Sequence, residues 1–184
     1  MSMEEIKISS APQGGSSVGD RAAIYTELLP QLESLAAHES DVIANLANIS
    51  AALKQVLPYV SWVGFYLLKD GELVVGPFQG KVACTRIKIG SGVCGTAAEQ
   101  RRTMIVPNVY EFPGHIFCDA ESRSEIVVPL LSRESHPGEG GKLFGVLDLD
   151  SAEFNSFDKV DAENLEHVCR LVAELFVRKG KDGR

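Results

Sequence analysis

Ser61-Trp62-Val63-Gly64-Phe65-Tyr66-Leu67-Leu68-Lys69-Asp70-Gly71-Glu72-Leu73-Val74-Val75 is the stretch whose reading decides the fold. From Ser61 to Leu68 it is rich in aromatic and β-branched side chains, which suit a pleated, half-buried surface. Asp70-Gly71 supplies the tight turn, because a two-residue hairpin loop needs backbone angles that these residues tolerate. Glu72 to Val75 then returns as a second strand, so the segment is a β-hairpin.

Working outward, the period changes on both sides. Upstream from Asp20, Ile24, Leu28, Leu32 and Leu35 recur at near-helical spacing, with Pro30 as a kink or break. A second helix starts after Ser40 as N-cap, carries Val42, Leu46, Ile49, Leu53 and Val56 on one face, and stops at Pro58. Downstream come a short strand at 85–89, a small-residue helix at 93–100 and a strand at 103–106. A structured loop with one helical turn spans 108–124. Strands at 125–131 and 142–150, joined by a Gly-rich polar loop, lead into a last helix at 158–178. Helices at the two ends and about six strands between them predict an α+β domain with an antiparallel or mixed sheet. Residues 1–19, rich in Ser and Gly, read as a flexible tail, and residues 20–180 as a single domain.

Composition narrows the function. The chain has 184 residues and 45% hydrophobic content, enough for one real core. A formal charge of −7 without clustered Lys and Arg argues against a nucleic-acid partner. No apolar run approaches the ~20 residues that span a bilayer, and no signal peptide is visible, so a cytoplasmic location is expected. Cysteines in such a reducing compartment are free, metal-bound or catalytic more often than structural.

Three of the four cysteines, Cys84, Cys94 and Cys118, sit in Gly- and Pro-punctuated stretches, whereas Cys169 lies on the apolar stripe of the last helix. Cys118 has His115 and Arg123 as sequence-local groups that favour a thiolate, the form that acts as nucleophile. Cys94, in Gly90-Ser91-Gly92-Val93-Cys94-Gly95, lies at a helix start whose dipole also favours thiolate; nucleophile, relay and packing residue all stay open for it. Cys84, on a mobile approach to a strand and near Lys81, suits a resolving thiol that must travel to a sulfenic acid.

Two further sets point to a pocket. Asp148 and Asp150 are two apart in a strand and share one face, and Glu125 opens the neighbouring strand. Such carboxyls would attract an ammonium group, and crowding would raise a pKa far enough to donate a proton. Trp62 and Tyr66 share a strand face and offer two aromatic surfaces. The histidines His38, His115, His136 and His167 are scattered and match no zinc spacing, so no metal is expected.

In order along the chain stand Trp62-Val63-Gly64-Phe65-Tyr66, Gly76-Pro77-Phe78-Gln79-Gly80, Ala83-Cys84 and Gly92-Val93-Cys94-Gly95. They are followed by Phe112-Pro113-Gly114-His115-Ile116 with Cys118-Asp119, Ser124-Glu125-Ile126-Val127-Val128-Pro129, and Gly145-Val146-Leu147-Asp148-Leu149-Asp150-Ser151. Together these motifs closely resemble the free methionine-(R)-sulfoxide reductase family, enzymes with a GAF-domain fold, over roughly residues 25–176. The resemblance implies a six-stranded antiparallel sheet flanked by helices and reduction of free methionine (R)-sulfoxide. By the same motifs, Cys118 attacks the sulfoxide sulfur, Cys84 resolves the sulfenic acid as an intramolecular disulfide, and Cys94 is an alternative nucleophile or disulfide partner. Trp62 and Tyr66 would enclose the S-methyl group, and Glu125, Asp148 and Asp150 would hold the ammonium and protonate the leaving oxygen. Backbone N–H groups from Ile116 through Phe117 to Cys118 would take the carboxylate. A thioredoxin-like reductant is implied, with no cofactor, and a homodimer is compatible. Phe117, Asn108, the longer 135–141 segment and the N-terminal tail depart from the pattern. The rival readings are a non-catalytic GAF sensor of a small ligand or of redox state and, more weakly, a zinc-stabilised module.

Overall fold

The hairpin forms as its turn dictates: β1 (Trp62–Lys69) and β2 (Glu72–Gln79) pair antiparallel, with Asp70 and Gly71 both at positive φ, 52° and 82°. The computed structural model describes residues 6–8, 18–133 and 141–182. Around the hairpin run α1 (Val18–His38), α2 (Val42–Val56), β3 (Arg86–Lys88), α3 (Gly92–Gln100), β4 (Met104–Val106), β5 (Ser124–Leu131), β6 (Leu143–Ser151) and α4 (Lys159–Asp182). One 3-10 turn, Val109–Glu111, sits in the loop before β5.

The six strands form one sheet in the order β3-β2-β1-β6-β5-β4, and every neighbouring pair is antiparallel. The expected α+β class and six-stranded antiparallel sheet are therefore observed. Several boundaries shift. Pro30 is carried inside an unbroken α1, so it neither kinks the helix into two nor ends it. The cap of α2 is Asp41 rather than Ser40, its carboxylate accepting from the Ala44 N–H at 2.9 Å. Strand β2 runs on through Pro77, because the β1–β2 register slips between Gly64 and Tyr66 and a proline is tolerated at such an irregularity. Of the expected 1–19 tail, most lies outside the described residues. Within it, Lys7 exchanges two hydrogen bonds of 2.9 Å with Gln31 on α1, and α1 itself begins at Val18.

The two-residue period of the strands divides the molecule into layers. Val63, Phe65 and Leu67 of β1, Ile126, Val128 and Leu130 of β5, and Leu147 and Leu149 of β6 point to the helices α1, α2 and α4. Cys169 joins this core, as its place on the apolar stripe required, and its thiol points to the Val128 carbonyl at 3.7 Å. The alternate residues, among them Trp62, Tyr66, Val127 and Val146, face the other way, toward α3. No helix among the described residues is long and apolar enough to cross a membrane.

One buried acid locks the helical layer. Asp161, fully enclosed at the start of α4, accepts from Tyr25 at 3.0 Å, Tyr59 at 2.6 Å, Arg21 at 2.8 Å and the Asp158 N–H at 3.0 Å. The Arg21 guanidinium also lies 4.7 Å from the centre of the Tyr59 ring. Removing one partner of a buried, hydrogen-bonded pair costs ~3–5 kcal/mol because the other charge is stranded. Asp161→Ala should therefore lower the thermal midpoint by about 10 °C or more, read by thermal denaturation. Loss of under 2 °C would show that the network contributes nothing net.

Candidate active site

Register brings the acidic residues together. On the face away from α1, α2 and α4, Glu125 of β5 stands opposite Asp150 of β6, and Asp150 opposite Trp62 of β1. One row along, Asp148 stands opposite Gly64. The first turn of α3 adds Cys94, the 80–85 loop adds Val82 and Ala83, and the loop before β5 adds His115, Ile116, Cys118, Asp119 and Ser122, all lining one cavity with Trp62 and Tyr66.

The aromatic wall depends on glycine. The Trp62 ring stacks between Phe78 at 5.4 Å and Tyr66 at 6.0 Å. A Cβ at Gly64 would fall 2.6 Å from the Trp62 ring and 2.3 Å from Phe78 Cβ, and one at Gly80, where φ is +137°, 2.5 Å from the same indole. Neither position accepts a side chain without displacing the tryptophan. The indole N–H is satisfied by the Lys81 carbonyl at 3.0 Å, which also fixes the start of the cysteine loop.

Two loops close over this wall and are bonded to each other. Cys84 and Cys118 form a disulfide with a Cα–Cα separation of 5.4 Å. Lys81 adds ion pairs to Asp119 at 3.4 Å and Glu121 at 2.5 Å across the same pair of loops. Lys81 is thus engaged by carboxylates of the opposite loop, and its own charge is held in the protonated form by Glu121.

Inside the cavity Glu125, Asp148 and Asp150 are each pushed toward the neutral form. Burial is the largest cause for Glu125 and Asp148, whose pKa values are raised well above the ordinary carboxylate; the Asp150 charge adds to both and the Glu125 charge to Asp148, while the Asp148 hydrogen bond pulls Glu125 partly back. Asp150, partly exposed at the cavity mouth, is pushed up to about 6 by burial, with the Ser122 side chain and His115 pulling it back down. The effect expected from crowding is present, but loss of water is its main source. Cys94, 4% exposed, has its Sγ 3.9 Å from Glu125 Oε1. Burial and then the Asp148 and Glu125 charges raise its pKa, so it rests as a thiol. The expectation that the α3 dipole would favour a thiolate fails here: a partial helix charge does not outweigh desolvation beside two carboxyls.

Other expectations are corrected by where side chains point. His115 does not reach out to Cys118; its Nε2 lies 3.3 Å from Glu125 Oε2. Burial lowers its pKa, so the contact joins a neutral imidazole to a carboxyl that tends to keep its proton. Arg123 lies over the Tyr110 ring and bonds its hydroxyl rather than Cys118. The Phe117 ring, 56% exposed, packs on His115 at 4.6 Å and Tyr110 at 5.7 Å and is absent from the cavity wall, whereas the expectation for this residue concerns its backbone N–H alone. The Cys118 N–H donates to the Ile116 carbonyl at 2.9 Å, which removes it from the set of donors expected to take a carboxylate. Ser122 also lines the cavity.

Two polar atoms at the cavity are buried without a protein partner: Asp148 Oδ1, an acceptor, and His115 Nδ1. They match the charged ends of a small amino acid better than a purely apolar ligand. Neither was legible as such in the sequence, because satisfaction depends on partners from other elements. Cys94, Glu125 and Asp148 also bring possible metal ligands within 4.8 Å of one another, the one such group among the described residues. All three favour their protonated forms, which suits a hydrogen-bonded acid cluster better than a metal cradle. His38 and His167 sit on helix faces, bonded to Ser34 and Glu33, and His136 lies outside the described residues.

Known proteins share this fold and much of this sequence. The GAF domain family model matches residues 19–175. GAF domain-containing protein A of Dictyostelium discoideum is 50% identical over 85% of this chain and 94% of its own. A free methionine-R-sulfoxide reductase of Saccharomyces cerevisiae is 42% identical over 87% of this chain and 89% of its own. The X-ray structure of free methionine-R-sulfoxide reductase from Neisseria meningitidis in complex with its substrate superposes with a TM-score of 0.82 at 45% identity, covering 91% of this chain and 97% of that one.

The acid set makes a pH-dependent stability. Asp150, at about 6 when folded and about 3.9 when unfolded, binds more protons in the folded state between those values. Its contribution is thus fully present below about pH 4 and is lost as pH rises through about 6. Asp150→Asn should raise the thermal midpoint by several degrees at pH 8 and leave it nearly unchanged at pH 4. Equal shifts at both pH values would rule out a titrating cause. After reduction, iodoacetamide at neutral pH should label Cys84 and Cys118 well before Cys94, read by peptide mass; early labelling of Cys94 would contradict its burial as a thiol.

Proposed function

The chain belongs to the GAF-domain family, among its free methionine-R-sulfoxide reductases, and we propose how this cavity carries out that reaction. The protein is a thiol-dependent oxidoreductase acting on free methionine (R)-sulfoxide. The observation that carries the site assignment is a Cys84–Cys118 bond at a cavity walled by two aromatics and three protonatable carboxyls.

In the reduced protein the Cys118 thiolate attacks the sulfoxide sulfur. The S–O oxygen takes a proton from the acid set, and the hydroxyl passes from the substrate sulfur to Cys118 as the S–O bond and the transient bond between the two sulfurs break, leaving methionine reduced by two electrons and a Cys118 sulfenic acid. The Cys84 thiol then attacks that sulfur, water leaves, and the disulfide forms. Trp62 and Tyr66 hold the methylated sulfur against their faces. Asp148 Oδ1 receives the ammonium, while the Ile116 and Phe117 N–H groups and His115 Nδ1 serve the carboxylate end. Amide-linked methionine sulfoxide lacks these charges, and leaving buried groups unpaired rejects it by ~10⁴-fold or more. Cys94 acts here as a member of the proton-sharing acid cluster and not as an attacker.

A GAF sensor of small ligands is the weaker reading, since sensing requires neither a bonded cysteine pair at the cavity nor acids held neutral beside it. We assign the returning electrons to a thioredoxin-like dithiol, and place the protein in a reducing compartment such as the cytoplasm. A homodimer remains part of the proposal, without a role in the chemistry.

With dithiothreitol, the purified protein should release methionine from the free R epimer and leave the S epimer and peptide-bound sulfoxide untouched. No turnover of the R epimer sinks the enzymatic reading. Cys118→Ser should fall to background, and Cys84→Ser should give one methionine per protein and then stall. Cys94→Ser should keep most of its rate; loss of that rate, together with a Cys94–Cys118 bond mapped in the wild-type protein, would move the resolving role. Asp148→Asn should raise KM by roughly 10–100-fold, the loss of one hydrogen bond to a charged group.

A further inference from the structure

Among the described residues, eight large hydrophobic side chains are exposed, and five of them, Val82, Tyr110, Ile116, Phe117 and Phe154, belong to the two loops that carry Cys84 and Cys118 or pack on the second of these. Tyr110 is the hub, 5.7 Å from the Phe117 ring and 6.2 Å from Phe154. Phe117 adjoins Cys118 in the chain, and Val82, 89% exposed, lines the same cavity mouth as Ile116 and Cys118. Monomeric proteins seldom leave such a set together in water without a use for it.

The patch is held in place. Asn108 accepts from the Tyr110 N–H at 3.1 Å, and Arg123 lies 5.3 Å from the centre of the Tyr110 ring. The Asn155 N–H donates to the Pro107 carbonyl at 3.0 Å, and Ser124 Oγ donates to the Glu153 carbonyl at 2.6 Å, so the backbone on both sides of Phe154 is pinned. Rings on a fixed backbone lose little entropy when covered. At the rim, the acids Glu111, Asp119, Glu121 and Glu153 outnumber the bases Lys81 and Arg123.

We propose that this aromatic surface docks a protein dithiol, a partner with an apolar, neutral-to-basic face around its own reactive cysteine. The inference rests on the reductase reading above. Each turnover requires a thiolate within bonding distance of the disulfide, and a body large enough to bring one must cover the adjoining rings. A small anionic thiol would cover little of them and meets an acidic rim. The partner thiolate attacks one sulfur of the Cys84–Cys118 bond, which breaks as the other cysteine leaves and takes a proton. The partner's second thiol then attacks the mixed disulfide, freeing the second cysteine and leaving the partner oxidised by two electrons.

The test uses thioredoxin, kept reduced by its reductase and NADPH, against dithiothreitol, with free methionine (R)-sulfoxide saturating. In the double variant Tyr110→Ser/Phe154→Ser, kcat/KM for thioredoxin should fall about tenfold or more, as for loss of buried anchor rings. Dithiothreitol-driven turnover should stay within twofold. Phe154→Glu alone, at an exposed position that should not disturb folding, should show the same split. The proposal is overturned by an unchanged thioredoxin kcat/KM, or by equal loss with both reductants. It is also overturned if the variants dissolve a wild-type dimer in sedimentation while thioredoxin kinetics hold, since a second copy would then be the occupant. Wild-type turnover with dithiothreitol but none with thioredoxin removes the docking surface and spares the reductase reading, whereas no turnover with either removes the reductase reading itself.

Discussion

Three carboxyl groups crowd one face of the sheet, Glu125 and Asp148 buried and Asp150 half-buried, and the remaining architecture makes that possible. Leu147 and Leu149 hold β6 to the helices, and the same strand's pleat turns Asp148 and Asp150 to the opposite side. Pairing with β5 adds Glu125 beside Asp150. Bringing such groups out of water favours their neutral forms, and the fold bears the cost of the charged ones at higher pH. A stable helical layer, locked at Asp161, carries this local destabilisation.

The redox chemistry sits where two otherwise independent loops meet. Trp62 connects them to the substrate wall: its ring stacks in the cavity and its N–H holds the Lys81 carbonyl, three residues before Cys84. Lys81 in turn grips Asp119 and Glu121 beside Cys118. This ion pairing is a second, non-covalent link between the two sulfur-bearing loops. Being largely exposed, the pairs are a positioning aid of modest strength.

Much of this was legible residue by residue. Asp70-Gly71 dictated the hairpin, and the two-residue alternation in Val146-Leu147-Asp148-Leu149-Asp150 was enough to put both acids on one face. The apolar stripe around Cys169 marked it as core. What failed were inferences from closeness in sequence. His115 and Arg123 are near Cys118 in the chain, yet one faces Glu125 and the other Tyr110. A loop without a repeating period gives no rule for side-chain direction, whereas a strand does.

The amino-acid sequence by itself determined the strand and helix periods, the acids and aromatics available to one sheet face, and the family motifs that named the chemistry. Only the tertiary structure decided protonation and partnership: that Cys94 is a thiol, that Asp148 keeps an unpartnered oxygen, and that the rings of Phe117 and Phe154, from two separate loops, both pack on Tyr110. The reason is physical. Periodicity is a local property of the backbone, but desolvation and hydrogen-bond satisfaction depend on atoms supplied by segments far apart in the chain.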